Sequence, residues 1–434
     1  MDFLNNITDE TIIITSNKKG ILKEISKLNK IINVKLMTII EFKKRYYFDY
    51  DEKSIAYLMK KYGFKYAVSS YYLENLIYIQ KEKYKNKKLV FLSNLKNELD
   101  EQKLLQRDIL FSKYLKGKNI IILDNDLSIF DKNMIKEVSN YSSVEYKTLL
   151  NPIYSHDTII FNTLEEEVNF VAASISKLIQ DGVETENIKL TNVKENYYDT
   201  IEKIFGFYNL KIDVNKKTSI YSTLIGKKFI EYLKKDRKSS LKSIEDYKGT
   251  YTYNKIVDLL NDLIWSEDLL EIKEIIIEKM KSIYTESIKQ TNLVEVVDYK
   301  EYMFKDEYVF MLNFNNDSIP TIYKDEDYIT DNIKEEIPLD KTVEKNKLSK
   351  ELTINIIKSI KNLVITCKKS SYKDTYYPSS LIEEFPLKEV EMDYKNSYSK
   401  IYNELLLSSY LDNYVKYGII NKNLRRSTNT HCLI

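Results

Sequence analysis

Short apolar runs alternate along this chain with longer amphipathic stretches. The clearest such series lies between residues 293 and 367, where apolar runs at 293–297 and 308–312 precede a polar loop, an amphipathic run at about 342–360 and a third apolar run at 363–367. Short apolar runs are typical of buried parallel strands, and helical periodicity is typical of the helices that cover them. This stretch therefore predicts part of a parallel sheet with helical cover.

The first 150 residues show the same alternation. Apolar runs at 11–15, 34–37, 119–123 and 144–146 predict strands, and the run at 119–123 ends in acidic residues. Between about 50 and 116 the pattern is helical and polar, with 89–92 as the one candidate strand. We predict a first α/β unit at 1–150 with a helical insertion at about 50–116. Asn151 and Pro152 form a plausible boundary.

The second unit is predicted at 151–385. It begins with an apolar run at 158–161 and an amphipathic helix from 164 to 180, whose apolar positions include Val168, Val171 and Ile175. A strand at 188–191 follows, and residues from about 236 to 290 are again helical, charged and without strand patterns. The predicted fold class is therefore α/β, with two parallel-sheet lobes that each carry a helical insertion.

Composition limits the possible functions. Lysine and arginine total 67 against 65 acidic residues, so no overall positive field draws the 434-residue chain to nucleic acid, and DNA binding would need a local patch. The longest basic run contains Lys234, Lys235, Arg237 and Lys238, although a solvated helix end explains this run equally well. Two cysteines and two histidines give neither a disulfide framework nor an obvious metal set. No apolar run approaches the about 18 residues of a membrane span, and we expect a cytoplasmic protein without a membrane partner.

Four segments carry a resemblance to a known family. Residues 165–175 are similar to an "E-E-V-x-x-V-A-x-x-I" helix, and residues 308–320 to "V-x-V-L-G-L-N-E-G-x-F-P". Residues 355–366 are similar to "L-T-R-A-x-x-x-L-x-L-S", and residues 377–382 to the "P-S-x-L-L" that follows it. The chain thus resembles the helicase-like region of the B subunits of AddAB-type (RexAB-type) recombination complexes, a superfamily 1 helicase-like and PD-(D/E)XK nuclease family. The resemblance implies two RecA-like lobes.

The motor positions of that family are altered here. A Gly-rich loop ending in Gly-Lys-Ser/Thr is needed to hold the phosphates and Mg²⁺, but Lys18, Lys19 and Gly20 follow the first predicted strand without such a loop. The Asp-Glu pair for metal and water corresponds to Asp124 and Asn125, and the arginine finger position to Lys358, which lacks the planar fork. We therefore expect no ATPase or helicase activity, and neither ATP nor Mg²⁺ as a cofactor.

The resemblance implies a role in DNA repair. Residues 386–434 resemble the lead-in to a C-terminal nuclease domain, and we expect nuclease activity only in such a domain, which is missing from this chain. Lys300 falls near the lysine of a DNA-contacting strand-end motif, although a plain strand-end turn also explains Asp298 and Lys300. The expected function is a non-motor subunit of a complex that processes DNA double-strand breaks, with single-stranded DNA and an AddA-type helicase-nuclease as partners. A divergent ATP-dependent translocase and a truncated protein-interaction module remain as alternatives.

Overall fold

The computed structural model describes residues 2–123, 126–214, 218–285, 292–389 and 399–419. The chain divides into two compact units, of which unit 1 contains Met1–Thr148, Lys216–Lys289 and Lys324–Lys345, and unit 2 contains Leu149–Asn215, Gln290–Tyr323 and Asn346–Ile434. Residues 218–285 and 324–345 interrupt the second unit in chain order but belong to the first.

The helices of the described residues are α1 (Asp2–Asn5), α2 (Lys18–Ile25), α3 (Ile39–Tyr46), α4 (Glu52–Tyr62), α5 (Tyr66–Leu76), α6 (Lys87–Glu101), α7 (Phe111–Leu115), α8 (Ile129–Val138), α9 (Leu164–Gln180), α10 (Glu195–Phe207), α11 (Leu224–Glu231), α12 (Arg237–Lys242), α13 (Tyr251–Asp262), α14 (Lys273–Ser282), α15 (Thr342–Ser359) and α16 (Lys400–Tyr417). The strands are β1 (Thr11–Ile14), β2 (Val34–Met37), β3 (Asp49–Tyr50), β4 (Leu105–Gln106), β5 (Asn119–Ile122), β6 (Ser143–Tyr146), β7 (Thr158–Thr163), β8 (Ile188–Thr191), β9 (Ile212–Asp213), β10 (Val294–Val297), β11 (Tyr308–Met311), β12 (Asn362–Ser371), β13 (Asp374–Thr375) and β14 (Leu387–Glu389).

Unit 1 contains a parallel sheet with the strand order β2-β1-β5-β6. All four residues of the central strand β1 are buried, as expected for a parallel strand that is covered on both faces. Ile12 and Ile14 of β1 pack with Ile120 and Ile122 of β5 and with Phe42 of α3 in one hydrophobic core. The strands predicted at 11–15, 34–37, 119–123 and 144–146 are therefore confirmed.

A second hydrophobic core of unit 1 lies in its helical part. Helices α4 to α6 and α11 to α14 share this core, whose residues include Leu58, Leu92, Phe229, Ile256 and Ile276. The candidate strand at 89–92 was wrong, because these residues lie within α6. Its buried leucines, 89, 92, 95 and 99, recur every three or four residues, which places them on one face of a helix.

Unit 2 contains an eight-stranded sheet with the order β14-β7-β12-β11-β8-β10-β9, to which β13 adds at the end of β12. Every pairing is parallel except that of β12 with β13. Helices α9 and α10 contribute Val168 and Ile201 to one hydrophobic core, and α15 contributes Ile357 to another. The parallel sheets and their covering helices confirm the predicted α/β fold class of two RecA-like lobes with helical insertions. Among the described residues, no helix is both long enough and apolar enough to cross a bilayer.

Candidate functional site

The connection after β1 is where the sequence predicts an altered phosphate loop. Only three residues separate the end of β1 at Ile14 from the start of α2 at Lys18. The side chain of Asn17 caps this helix, since its Oδ1 accepts a hydrogen bond from the Gly20 amide at 2.8 Å. A Cβ at Gly20 would lie 2.6 Å from that oxygen. The protein's own asparagine thus occupies the helix N-terminus, where a phosphate-binding loop presents its amides to a phosphate.

The other altered motor positions have structural partners or lie outside the described residues. The Lys18 ammonium pairs with the Glu41 carboxylate, and Lys19 is exposed. Asp124 and Asn125 lie outside the described residues. Lys358, in the last turn of α15, pairs with Glu384 at 2.5 Å and lowers the pKa of that carboxyl group. Among the described residues, no group of three or more His, Cys, Asp and Glu side chains forms a metal-binding set.

The predicted DNA-binding lysines and arginine differ in their surroundings. The Arg237 guanidinium donates hydrogen bonds to the carbonyl oxygens of Leu260, Leu263 and Ser266, at 3.3, 2.9 and 2.9 Å, so it closes the C-terminal end of α13. Lys235 lies 3.4 Å from the Asp268 carboxylate.

Lys234, Lys235 and Lys238 are all exposed, and of these three Lys235 is the one beside a carboxylate. Lys300 belongs to unit 2, where its ammonium donates to the Thr321 hydroxyl at 2.8 Å. Arg237 and Lys300 are thus engaged in local hydrogen bonds. A role of the basic run in DNA binding stays a prediction.

Sequence reasoning missed a buried polar cluster in unit 2. This carboxyl-edge cluster consists of Glu167, Tyr197, Asn313, Thr366 and Lys368, all of which are fully buried. One carboxylate oxygen of Glu167 accepts hydrogen bonds from the Asn313 amide at 2.9 Å and the Thr366 hydroxyl at 2.7 Å. The other accepts from the Tyr197 hydroxyl at 2.7 Å. Lys368 donates to the Tyr197 oxygen at 2.7 Å and to Asn313 Oδ1 at 2.8 Å.

The charges of this cluster compensate one another inside the protein. Burial raises the pKa of Glu167, and its hydrogen bonds and the Lys368 charge oppose that shift. Burial likewise lowers the pKa of Lys368, and the Glu167 charge opposes it. The pKa of Tyr197 is raised, first by burial and then by Glu167, so its hydroxyl stays protonated and donates to the carboxylate. The tyrosine hydroxyl thereby links the buried ammonium to the buried carboxylate.

The cluster lies where several strands of the second sheet end. Asn313 follows β11 and takes a φ of 56°, and Asn192 follows the neighbouring strand β8 with a φ of 58°. Asn192 Nδ2 donates to the carbonyls of Leu312 and Asn313 at 2.8 and 2.9 Å, and Ser318 donates to Asn192 Oδ1 at 3.0 Å. Asparagine tolerates this left-handed conformation better than most residues. The cluster therefore fixes the loop after β11 at the edge where open α/β sheets usually bind ligands.

A sequence signal for Glu167 existed. Thr163 caps α9 through the Glu166 amide, and the acidic first turn suits the positive end of the helix dipole. Glu167 lies three residues after Leu164 and four before Val171, which places it on the apolar face rather than with its acidic neighbours. A charged residue at such a position indicates a buried partner.

Comparison with known proteins gives a limited likeness. No model of a known protein family matches the chain. The chain is similar to the uncharacterized protein YydD of Bacillus subtilis (strain 168), with 26% identity over 180 residues, which cover 39% of this chain and 26% of that protein. The chain thus spans about a quarter of the length of this relative. The relative's name states no activity, so the match adds none to this chain.

Proposed function

We propose that this protein is a non-motor, helicase-like subunit of a complex that processes DNA double-strand breaks, and that it acts there as a scaffold for single-stranded DNA. The family resemblance of residues 158–385 and the two parallel-sheet lobes support this proposal. Its partner is an AddA-type helicase-nuclease, and its compartment is the cytoplasm.

The short connection from β1 to α2 supports the proposal that this protein does not hydrolyse ATP. A phosphate loop surrounds the β- and γ-phosphates with several backbone amides and a lysine. Here the loop has three residues, Asn17 accepts from the helix amide, and Lys18 is paired with Glu41. Binding a triphosphate at this place would require displacing Asn17 and breaking that ion pair, which makes this chain a poor motor.

The DNA-binding part rests on the exposed lysines of the basic run. Lys234 and Lys238 flank Asp236, the N-cap residue of α12, whose side chain accepts from the Ser239 amide at 2.8 Å. Because Arg237 is held by backbone carbonyls and Lys235 lies beside the Asp268 carboxylate, Lys234 and Lys238 are the side chains of the run that we expect to contact a phosphate most readily.

Fluorescence anisotropy with a labelled single strand, measured over a series of salt concentrations, tests the proposal. We expect a dissociation constant in the micromolar range or below. The logarithm of the association constant should fall linearly with the logarithm of the salt concentration, with a slope of about −0.7 for each phosphate contact. The double variant Lys234→Ala/Lys238→Ala should bind more weakly with a shallower slope, whereas Lys400→Ala, which removes a lysine side chain 82% exposed on α16, should not change the slope.

An ATPase assay with and without DNA separates this proposal from a divergent translocase. We expect no hydrolysis above the background of a protein-free sample. DNA-stimulated hydrolysis that disappears in Lys18→Ala or Lys19→Ala would refute the non-motor assignment. Absent binding at micromolar protein, or binding that does not depend on salt, would refute the DNA-scaffold assignment and favour a protein-interaction module.

A further inference from the structure

A hairpin projects from the carboxyl end of β12. This strand pairs with β7 as far as Ser370, and then Ser370 and Ser371 pair antiparallel with Thr375 and Asp374 of β13. Tyr372 and Lys373 therefore form a two-residue turn. We call residues 368–378 the tyrosine hairpin, because Tyr372, Tyr376 and Tyr377 all lie in it.

The turn residue Tyr372 has an unfavourable backbone conformation and an exposed ring. Its φ is 52°, a left-handed value that glycine and asparagine adopt more readily than bulky residues. The residue is 90% exposed, so packing within this chain does not offset that conformation. A residue that is strained and solvent-exposed points to a role outside the fold.

Tyr377 is exposed as well, and its backbone is firmly held. The residue is 73% exposed, while its carbonyl oxygen accepts hydrogen bonds from Asn315 Nδ2 at 3.1 Å and from the Asn316 amide at 3.0 Å. The ring of Tyr376, in the same hairpin, contacts Lys368, whose ammonium lies 4.2 Å from the ring centroid. The carboxyl-edge cluster thus supports the hairpin through Lys368.

We propose that Tyr372 and Tyr377 are stacking platforms for the bases of single-stranded DNA. Exposed aromatic rings on a rigid backbone stack on any base, and they require bases that are not already stacked in a duplex. Lys369 and Lys373 of the same hairpin are exposed and supply charge for the phosphates, although Lys369 also lies 3.6 Å from Glu389. This inference rests on the proposed function and names a second contact surface, in unit 2.

Binding of single-stranded oligothymidine to the full chain tests the inference. Tyr372→Asn should lower the affinity between about 5-fold and 150-fold, the range expected for the loss of one stacked base. The same variant should raise the thermal midpoint of unfolding, because asparagine suits the left-handed turn. Opposite shifts of affinity and stability cannot come from misfolding.

Matched variants complete the experiment. Tyr377→Ala should weaken binding to a similar extent, and Tyr377→Phe, which keeps the ring, should bind like the wild type. Tyr417→Ala removes the ring of a residue that is 70% exposed on α16 and should leave the affinity unchanged. Glu389→Gln should tighten binding, because it releases Lys369 from its ion pair.

The outcomes distinguish the two proposals. If the wild type binds the single strand and Tyr372→Asn and Tyr377→Ala bind equally well, the hairpin is not the stacking surface, and the scaffold proposal stands. If the wild type does not bind at micromolar concentration, both proposals fail.

Discussion

The substitution Glu167→Gln probes the buried carboxyl-edge cluster most directly. The glutamine oxygen can still accept from the Asn313 amide and the Thr366 hydroxyl, as one carboxylate oxygen does now. Its NH₂ group would then face the Tyr197 hydroxyl, which loses the acceptor that it now reaches at 2.7 Å. The buried Lys368 ammonium also loses its compensating charge. Breaking one side of a buried charge pair costs about 3–5 kcal/mol, and we expect a loss in that range.

A double-mutant cycle separates the interaction energy between Glu167 and Lys368 from the effect of each substitution alone. Lys368→Met keeps most of the apolar stem and removes the charge, and it should also destabilise the protein. In Glu167→Gln/Lys368→Met both charges are gone, so the loss in the free energy of unfolding should fall short of the sum of the single losses by about 0.5–3 kcal/mol.

Urea denaturation followed by far-ultraviolet circular dichroism measures these losses. Glu165→Gln is the matched control, because Glu165 is an exposed acidic residue in the same first turn of α9. We expect it to cost less than about 1 kcal/mol. If Glu167→Gln costs no more than this control, or if the single losses add up in the double variant, the described coupling of Glu167 with Lys368 is refuted.

Three further predictions concern stability. Burial lowers the pKa of His156 below its ordinary 6.5, so the unfolded chain binds more protons than the folded protein as the pH falls, and the folded state loses stability. In urea titrations, His156→Gln should therefore lose less stability than the wild type between about pH 7.5 and pH 5. An equal loss in the two proteins would contradict this prediction. Arg237→Ala should lower the free energy of unfolding by about 1.5–3 kcal/mol, because the charged donor to three carbonyls is lost, and thermal unfolding with no shift would argue against that cap. Gly226→Ala places a Cβ 2.0 Å from the Ile220 carbonyl oxygen, and in calorimetry it should destabilise the protein by about 1–3 kcal/mol. Gly206→Ala, in helix α10, adds a Cβ that meets no other part of the protein within 4 Å, and it should stabilise the protein by about 0.5–1 kcal/mol. Equal effects of the two substitutions would refute the steric argument.

The local pattern determined most of the secondary structure. The runs at 293–297, 308–312 and 363–367 correspond to β10, β11 and β12, because parallel strands covered by helices are mostly apolar. The helical spacing of apolar residues located α9 and α15 in the same way. The candidate strand at 89–92 shows the limit of that reasoning, since four apolar-rich residues fit a strand and one turn of a helix equally well.

Only the tertiary structure decided which elements pack together. The placement of β12 between β7 and β11 and the packing of residues 218–285 within unit 1 depend on contacts between distant parts of the chain. The same is true of the carboxyl-edge cluster, in which Glu167 meets partners that lie 30, 146 and 199 residues further along the chain. In sequence its spacing places Glu167 on the apolar face of α9, but nothing in the sequence identifies the partners that it meets there. Only when the sheet assembles is Glu167 buried with Tyr197 and Lys368, so that it can hold the loop after β11 through the carboxyl-edge cluster.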